Sequence, residues 1–300
     1  MNMKRFLCRA FNKLGITKNH WPQFLLEYGN MQLFKSRQGY DFDLDNPTLF
    51  TEKIQWYKSR FSRDDLVRYV DKYLFKELIS EKLGEVNYTI PMYGAWKSVE
   101  AFISDWDKLP EKFCLKSTLQ SDGNYIKIIE KSKTNLMELK QEIRAWLKPQ
   151  NLLIHSFCSA YYKAVPRILA EEYMESVRNQ LYDYKFFCFD GKPYCVYAAT
   201  EHFKDDKYPI SFYDLDWKML DVQYGEHRKE FIPKPAHFEE MKQLANKLCQ
   251  GFPFIRVDFF DTPDKLFVAE LTFYPGGGLT PYHPVEFNRQ LGKLFDLSKC

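Results

Sequence analysis

The sequence predicts an α+β protein whose helices gather in the first half and whose antiparallel strands gather in the second. Apolar residues recur at helical spacing from Ser62 to Ile79 and from Asn135 to Leu147, and after Pro166 the pattern turns to short strand-like runs. Two of those runs flank Asp190-Gly191, a strong hairpin signal because both positions of a tight primed turn need positive φ. No repeat and no low-complexity linker breaks the chain, so any domains are interleaved and not strung in series.

Residues 1–18 carry Lys4, Arg5, Arg9, Lys13 and Lys18 without an acid, interleaved with Phe6, Leu7, Phe11 and Leu14, over too short an apolar stretch for a signal peptide. This segment is either a basic amphipathic helix resting on an anionic membrane surface or an ordinary helix docked on the protein body, and the pattern alone favours docking. A helix is expected to begin at Ser62, with Asp64 and Asp65 in its first turn, Leu66, Val67, Val70, Tyr73, Leu74, Leu78 and Ile79 on its apolar face, and Gly84 beyond its end. Lys112 to Ser117 and Tyr125 to Glu130 read as strands around the turn Gln120-Ser121-Asp122-Gly123-Asn124, a hairpin suited to covering phosphate. The helix from Asn135 to Leu147 is stopped by Pro149. Strands follow at Arg167 to Tyr173, Leu181 to Phe189 and Lys192 to Ala199, then a helix from His237 to Cys249 ending at Gly251.

The 300 residues, 45% hydrophobic and 28% charged, exclude disordered, collagen-like and disulfide-scaffold classes. Their 26 Phe, 20 Tyr and 6 Trp can fill a sizeable core. The 43 Lys and Arg against 40 Asp and Glu leave +3, too balanced for phosphate neutralisation to drive nucleic-acid binding, so nucleic acid is not an expected partner. The 7 cysteines form no CxxC pair, which disfavours zinc and redox motifs and suits a reducing compartment. No apolar run nears the roughly 20 residues that cross a bilayer, and a soluble cytoplasmic protein is expected.

The last strand pair carries the chemistry. Phe254 to Phe260 and Leu266 to Thr272 flank Asp261-Thr262-Pro263-Asp264-Lys265, and a five-residue loop pairs Asp258 with Val268 and Arg256 with Glu270. Ile255, Val257, Phe259, Phe267, Ala269 and Leu271 then face the core, while Arg256, Asp258, Glu270 and Thr272 share the opposite face with Phe260, Leu266 and Val268. Two carboxylates and a hydroxyl among apolar neighbours suit Mg²⁺, which takes one or two carboxylates and completes its shell with water and phosphates. The alternative is a structural Arg256–Glu270 ion pair with Asp258 solvated. Gly276-Gly277-Gly278 follows at once, where backbone amides can approach an anionic oxygen without Cβ interference.

With these residues in place the chain resembles the TupA-like ATP-grasp family, associated with teichuronopeptide and other cell-surface polysaccharide biosynthesis. The likeness runs through Phe50-Thr51-Glu52-Lys53-Ile54-Gln55-Trp56, Asp71-Lys72-Tyr73, Phe113-Cys114-Leu115-Lys116, Ala170-Glu171-Glu172-Tyr173-Met174, Asp183-Tyr184-Lys185-Phe186, Arg256-Val257-Asp258 and Glu270-Leu271-Thr272-Phe273-Tyr274-Pro275. It implies ATP held between two α+β lobes, with Mg²⁺ assisting phosphorylation of a carboxylate to an acylphosphate that an amine or thiol attacks. By the same resemblance Lys72 and Lys116 meet the nucleotide phosphates, and the loop with Ser121 and Gly123 covers them in place of the family's usual His-Gly-Ser-Gly. Glu172 and Met174 read the adenine edge through their backbone, Glu171 and Asp183 assist with adenine or ribose, and Lys185 meets phosphate or the reacting carboxylate. Asp258, Glu270 and Thr272 match the magnesium ligands, and Arg256, aided by the amides of Gly276, Gly277 and Gly278, stabilises developing negative charge. The expected organisation is a helical N-terminal segment over 1–60 and a catalytic unit over 61–300, with a smaller lobe at about 110–175 within it.

The leading functional expectation is an ATP-dependent ligase joining an amino acid or other amine to a uronic-acid carboxylate of a bacterial capsule or other surface polysaccharide, or of its sugar-nucleotide precursor. Peripheral contact with the membrane or with polysaccharide-assembly enzymes is an expected accompaniment. A kinase acting on a glycan hydroxyl stays open, as does a glycosyltransferase or glycan-binding protein using Trp56, Trp96, Trp106, Trp146 and Trp217 to stack on sugars, although most Trp in such a chain are core. The 6 histidines show no metal-ligand spacing, and none is assigned to catalysis.

Overall fold

The computed structural model describes residues 3–14, 16, 20–84, 88–119, 125–148, 157–174, 182–200 and 208–300. The chain divides into two compact units: Met1–Gly29, Ser62–Leu78 and Thr89–Met174 form the first, and Asn30–Phe61, Ile79–Tyr88 and Glu175–Cys300 the second. Among the described residues no helix is long and apolar enough to cross a membrane.

The first unit holds α1 (Met3–Lys13), the start of α2 (Gln23–Gln38), α4 (Val67–Val70) and most of α5 (Lys72–Leu83), with α3 (Phe50–Arg60) belonging to the second unit. Its sheet has β1 (Met92–Trp96), β2 (Lys112–Ser117), β3 (Ile126–Glu130) and β4 (Ile168–Glu172) in the antiparallel order β1-β4-β2-β3. The helices α6 (Val99–Ser104) and α7 (Leu136–Trp146) complete a core with Trp96, Phe102, Phe113, Leu115, Ile143 and Ile168. The α7 helix forms as its sequence reads: the Asn135 side chain accepts from the Met137 and Glu138 N–H groups, and Leu139, Ile143 and Trp146 bury one stripe. Pro149 and the 120–124 turn lie outside the described residues.

The helix expected to run on from Ser62 is instead two. Asp71, fully buried, takes an extended conformation and its carboxylate accepts from the Tyr73 and Leu74 N–H groups at 2.9 and 3.2 Å, so it caps α5. Capping by a short acidic side chain competes with helix continuation, and at Asp71 the cap wins. Strand β1 was not legible in the sequence, since Pro91 precedes it and Gly94 interrupts it.

The second unit is built on a six-stranded antiparallel sheet. Its strands β5 (Tyr182–Phe189), β6 (Lys192–Thr200), β7 (Ile210–Tyr213), β8 (Met219–Leu220), β10 (Phe254–Asp261) and β11 (Leu266–Thr272) stand in the order β11-β10-β5-β6-β7-β8. A small pair joins β9 (Gln223–Tyr224) to β12 (Tyr282–His283). The Asp190-Gly191 turn is present, with φ of 48° and 72°. Helix α8 (Phe238–Leu248) covers the face that carries Phe186 and Phe259, burying Met241, Leu244, Ala245 and Leu248. On the opposite face α3 sets Phe50 against Phe187, Phe189 and Phe254, and α9 (Val285–Leu294) packs on α3.

The β10–β11 register differs from the expected one. Asp261 pairs with Leu266, so the loop is Thr262–Lys265, closed by the Thr262 N–H to the Lys265 carbonyl at 3.0 Å. A bulge at Ala269 then brings Asp258 opposite Glu270 and Arg256 opposite Thr272. The shorter loop shifts the pairing by one, and the bulge restores the four polar residues to a common face. Phe267, opposite Phe260, moves to that face, and Val268, opposite Phe259, leaves it, the reverse of the expectation.

Candidate functional site

In the second unit the ladder lines up Glu270, Asp258, Lys185 and Tyr197 across β11, β10, β5 and β6, so these four side chains rise from one face. Arg256 stands two residues along from Asp258 on that face and reaches it with both arms, Nε to Oδ1 at 2.7 Å and Nη2 to Oδ2 at 2.6 Å. Lys185 Nζ lies 3.2 Å from Asp258 Oδ2 and 3.1 Å from Asp183 Oδ2. Arg256 Nη2 also donates to Thr272 Oγ1 at 3.3 Å.

Arg256 thus pairs with Asp258 and not with Glu270, and Asp258 is 2% exposed, so the alternative of a solvated Asp258 does not hold. Burial opposes every charge here, but the partners prevail. Asp258 sits below the usual carboxylate range because Arg256 and Lys185 outweigh its desolvation. Lys185 is raised by Asp183 and Asp258 against its burial, and Arg256 by Asp258 and Glu270 against its own. Both cations therefore stay charged.

Glu270, half-buried, makes no side-chain hydrogen bond or ion pair among the described residues. Three carboxylates (Asp183, Asp258, Glu270) and two cations (Lys185, Arg256) gather on this face, with the Glu270 oxygens uncommitted among the described residues. No cluster of three or more His, Cys, Asp or Glu placed to hold a metal occurs among the described residues. Asp258 and Glu270 with the Thr272 hydroxyl form a smaller, hard-oxygen set of the kind that would suit Mg²⁺.

The first unit gathers a second charged cluster. Glu171, buried near the end of β4, takes Lys76 Nζ on Oε1 at 2.6 Å and pairs with Lys116 of β2 through Oε2. Lys76 also donates to the Ile90 carbonyl at 2.6 Å. The two ammonium groups outweigh burial and hold the Glu171 carboxyl below its ordinary range, while burial lowers Lys76 despite Glu171. Lys72 heads α5, its backbone N–H on the Thr118 carbonyl at 3.1 Å. Lys76, one turn later, was missed: among Phe75, Leu78 and Ile79 it reads as a helix-surface lysine, and only its spacing of four from Lys72 could have flagged it.

At the end of β4 the Glu172 N–H donates to the Pro91 carbonyl at 2.9 Å, Tyr173 lies under Lys112 Nζ at 4.1 Å from its ring centre, and Met174 follows outside the ladder. Ser121 and Gly123 lie outside the described residues.

The glycine loop serves a purpose the sequence did not show. Gly276, Gly277 and Gly278 have φ of 55°, 63° and 66°. A Cβ on Gly276 would lie 2.4 Å from Tyr224 Oη, and one on Gly278 2.8 Å from Ile54 Cβ. The Gly277 amide is already committed to the Tyr274 carbonyl at 2.8 Å. The Gly277 and Gly278 carbonyls accept from Gln55 Nε2 at 3.0 Å each, and Gly277 also from the buried Lys58 Nζ at 3.2 Å. Asn30 Oδ1 accepts from Lys58 at 2.9 Å. Gln55 lies within a family-like motif quoted above, yet neither it nor Lys58 and Asn30 could be given a role from sequence.

Trp96 and Trp146 belong to the first unit's core, Trp106 packs against it, and Trp217 stacks on Tyr213 with centroids 4.3 Å apart, so these four are packing residues. His283 is exposed on β12, and His237 pairs with Asp261 at 2.5 Å.

Two mixed helix-and-sheet units, each built on an antiparallel sheet, fit the architecture of an ATP-grasp protein. A family profile described as TupA-like ATPgrasp matches residues 52–296, and the chain belongs to that family. No curated protein sequence gives a significant match. Among solved structures, D-alanine–D-alanine ligase from Helicobacter pylori is 17% identical over 76% of this chain and 61% of that one, with a TM-score of 0.42. Phosphoribosylamine–glycine ligase from Thermotoga maritima is 10% identical over 69% of this chain and 48% of that one, TM-score 0.43. N5-carboxyaminoimidazole synthetase from Staphylococcus aureus, complexed with ADP, is 15% identical over 68% of this chain and 44% of that one, TM-score 0.39. The chain thus spans about three fifths of the first of these proteins and less than half of the other two.

Proposed function

We propose that the protein is an ATP-dependent carboxylate–amine ligase that joins an amino acid or other amine to a uronic-acid carboxylate in the building of a cell-surface polysaccharide. The observation that carries the reading is the Glu270–Asp258–Lys185 row with Arg256 beside it, which puts two carboxylates and two held cations on one sheet face. Family membership supports the nucleotide half, and the family's association with surface glycans supports the substrate half.

In this reading Asp258, Glu270 and Thr272 hold Mg²⁺, which when bound offsets charge on the nucleotide phosphates. Arg256 and Lys185 stabilise negative charge on the transferred phosphoryl and on the acyl carbon's oxygens, and being locked by Asp258 and Asp183 they need little reorganisation. Lys72 and Lys116 meet the phosphates, with Glu171 fixing the Lys116 ammonium. The backbone of Glu172 and Met174 takes the adenine edge. The Gly276–Gly278 turn, pinned through its carbonyls by Gln55 and Lys58, shapes the substrate side.

The test is release of ADP and phosphate from ATP with a uronic-acid sugar nucleotide and a set of amines. Turnover that needs both the carboxylate and an amine is expected. Turnover unchanged when the carboxylate is reduced to the alcohol overturns the ligase, and a phosphorylated product with no amine requirement would mark a hydroxyl kinase instead.

A further inference from the structure

The two readings of the N-terminal helix concern different sides of α1, and the structure separates them. Leu7, Cys8 and Phe11 pack with Trp21, Leu25 and Leu26, so one side is docked, with Phe11 and Trp21 in edge contact at 5.8 Å. Yet α1 has no buried residue, and Met3, Phe6 and the following Leu14 are each more than half exposed. At about 100° per residue, Met3, Phe6 and Leu14 form a strip beside the docked side, and Arg5, Arg9 and Lys13 form the next strip round the helix. Phe24 of α2, also exposed, lines a shallow groove with Met3, Lys4, Leu7 and Tyr28, which extends the apolar strip onto the neighbouring helix.

We infer that α1, with Phe24, is an interfacial anchor that seats the protein on an anionic lipid surface. The charge complementarity decides the occupant. An apolar strip bordered by three cations, on a helix with no acid, matches acyl chains below a layer of anionic headgroups. Nucleic acid would use the cations and leave Met3, Phe6 and Leu14 without a purpose. A docked apolar protein partner would not call for an acid-free helix. The inference goes beyond the ligase reading and does not depend on it.

Flotation of the full chain with phosphatidylcholine vesicles, with and without phosphatidylglycerol, tests it. Binding is expected to the anionic vesicles, weakened by salt, and not to the neutral ones. The Arg5→Gln/Arg9→Gln/Lys13→Gln variant loses three cations at about a fivefold effect each and should bind about a hundredfold more weakly. The Phe6→Ser/Leu14→Ser variant should also lose binding, with melting temperatures unchanged in both variants because all five positions are exposed. Wild-type protein that does not enrich on anionic vesicles overturns the proposal, and so do variants that float as well as wild type. Tight binding to a short duplex RNA that the serine variant retains and the glutamine variant loses, without vesicle binding, would overturn it in favour of a nucleic-acid surface. The readout needs no nucleotide, so its failure is distinct from failure of the ligase.

Discussion

Asp258 and Glu270 face each other across β10 and β11, but they stand in different company. Asp258 pairs with the buried Arg256 and the half-buried Lys185, whereas Glu270 holds no hydrogen bond or ion pair among the described residues. Asp258→Asn leaves Arg256 and Lys185 without their shared counter-charge and should cost about 3–5 kcal/mol of stability along with activity. Glu270→Gln should change stability by no more than about 0.5 kcal/mol while lowering turnover about a hundredfold, because on the proposed reading it removes an oxygen that would hold Mg²⁺ and no structural bond. Urea denaturation and ADP release measured on both variants check this, and equal destabilisation by the two would contradict it. Glu171 offers a pH test. Its folded pKa is below the ordinary carboxylate value of about 4.3, so its stabilisation is complete above that value and is lost as pH falls through the depressed one. Glu171→Gln should therefore be about 3–5 kcal/mol less stable near neutrality, with the gap to wild type narrowing as pH drops below about 4 in urea titrations. At this scale the common face of Arg256, Asp258, Glu270 and Thr272 was read correctly from parity only because the shorter loop and the bulge at Ala269 offset one another. Which acid Arg256 grips was not, since that depends on a register the loop sets, and Lys76 was not, since one lysine on a helix carries no pattern.

Elements were legible where local chemistry and packing agree. The hairpin at Asp190-Gly191, α7 with its Asn135 cap, and strands β2 and β11 stand where the sequence puts them. The misses have local causes of their own: a cap at Asp71 that splits a helix, a four-residue loop in place of five, and a bulge that corrects the register. The glycines after β11 were legible as a special turn, but their function, close approach to α3 and Tyr224, came from long-range packing. The same kind of approach fixes α9 on α3. A Cβ on Gly292 would lie 2.2 Å from the Thr48 carbonyl oxygen, a backbone atom with no rotamer to yield. Alanine's helix propensity favours Gly292→Ala by up to about 1 kcal/mol, while overpacking costs about 1–3 kcal/mol. The clash should win, lowering the urea midpoint with an unchanged slope, and an unchanged or raised midpoint would contradict the packing described.

For the whole molecule, composition set the limits: balanced charge, scattered cysteines and abundant aromatics excluded several classes without choosing one. The order of the motifs supplied the fold, and the match over residues 52–296 shows the family. The compact units were not legible, because each draws on segments far apart in the chain, with residues 1–29 and 30–61 going to different units. The central claim is that the protein activates a carboxylate with ATP. It is tested most directly by following a heavy-oxygen label from the carboxylate of a uronic-acid sugar nucleotide during amide formation. An acylphosphate route carries a labelled oxygen into the released phosphate at each turnover, and that is the result expected. Unlabelled phosphate in the presence of product, or label retained wholly in a phosphorylated sugar, would contradict the account.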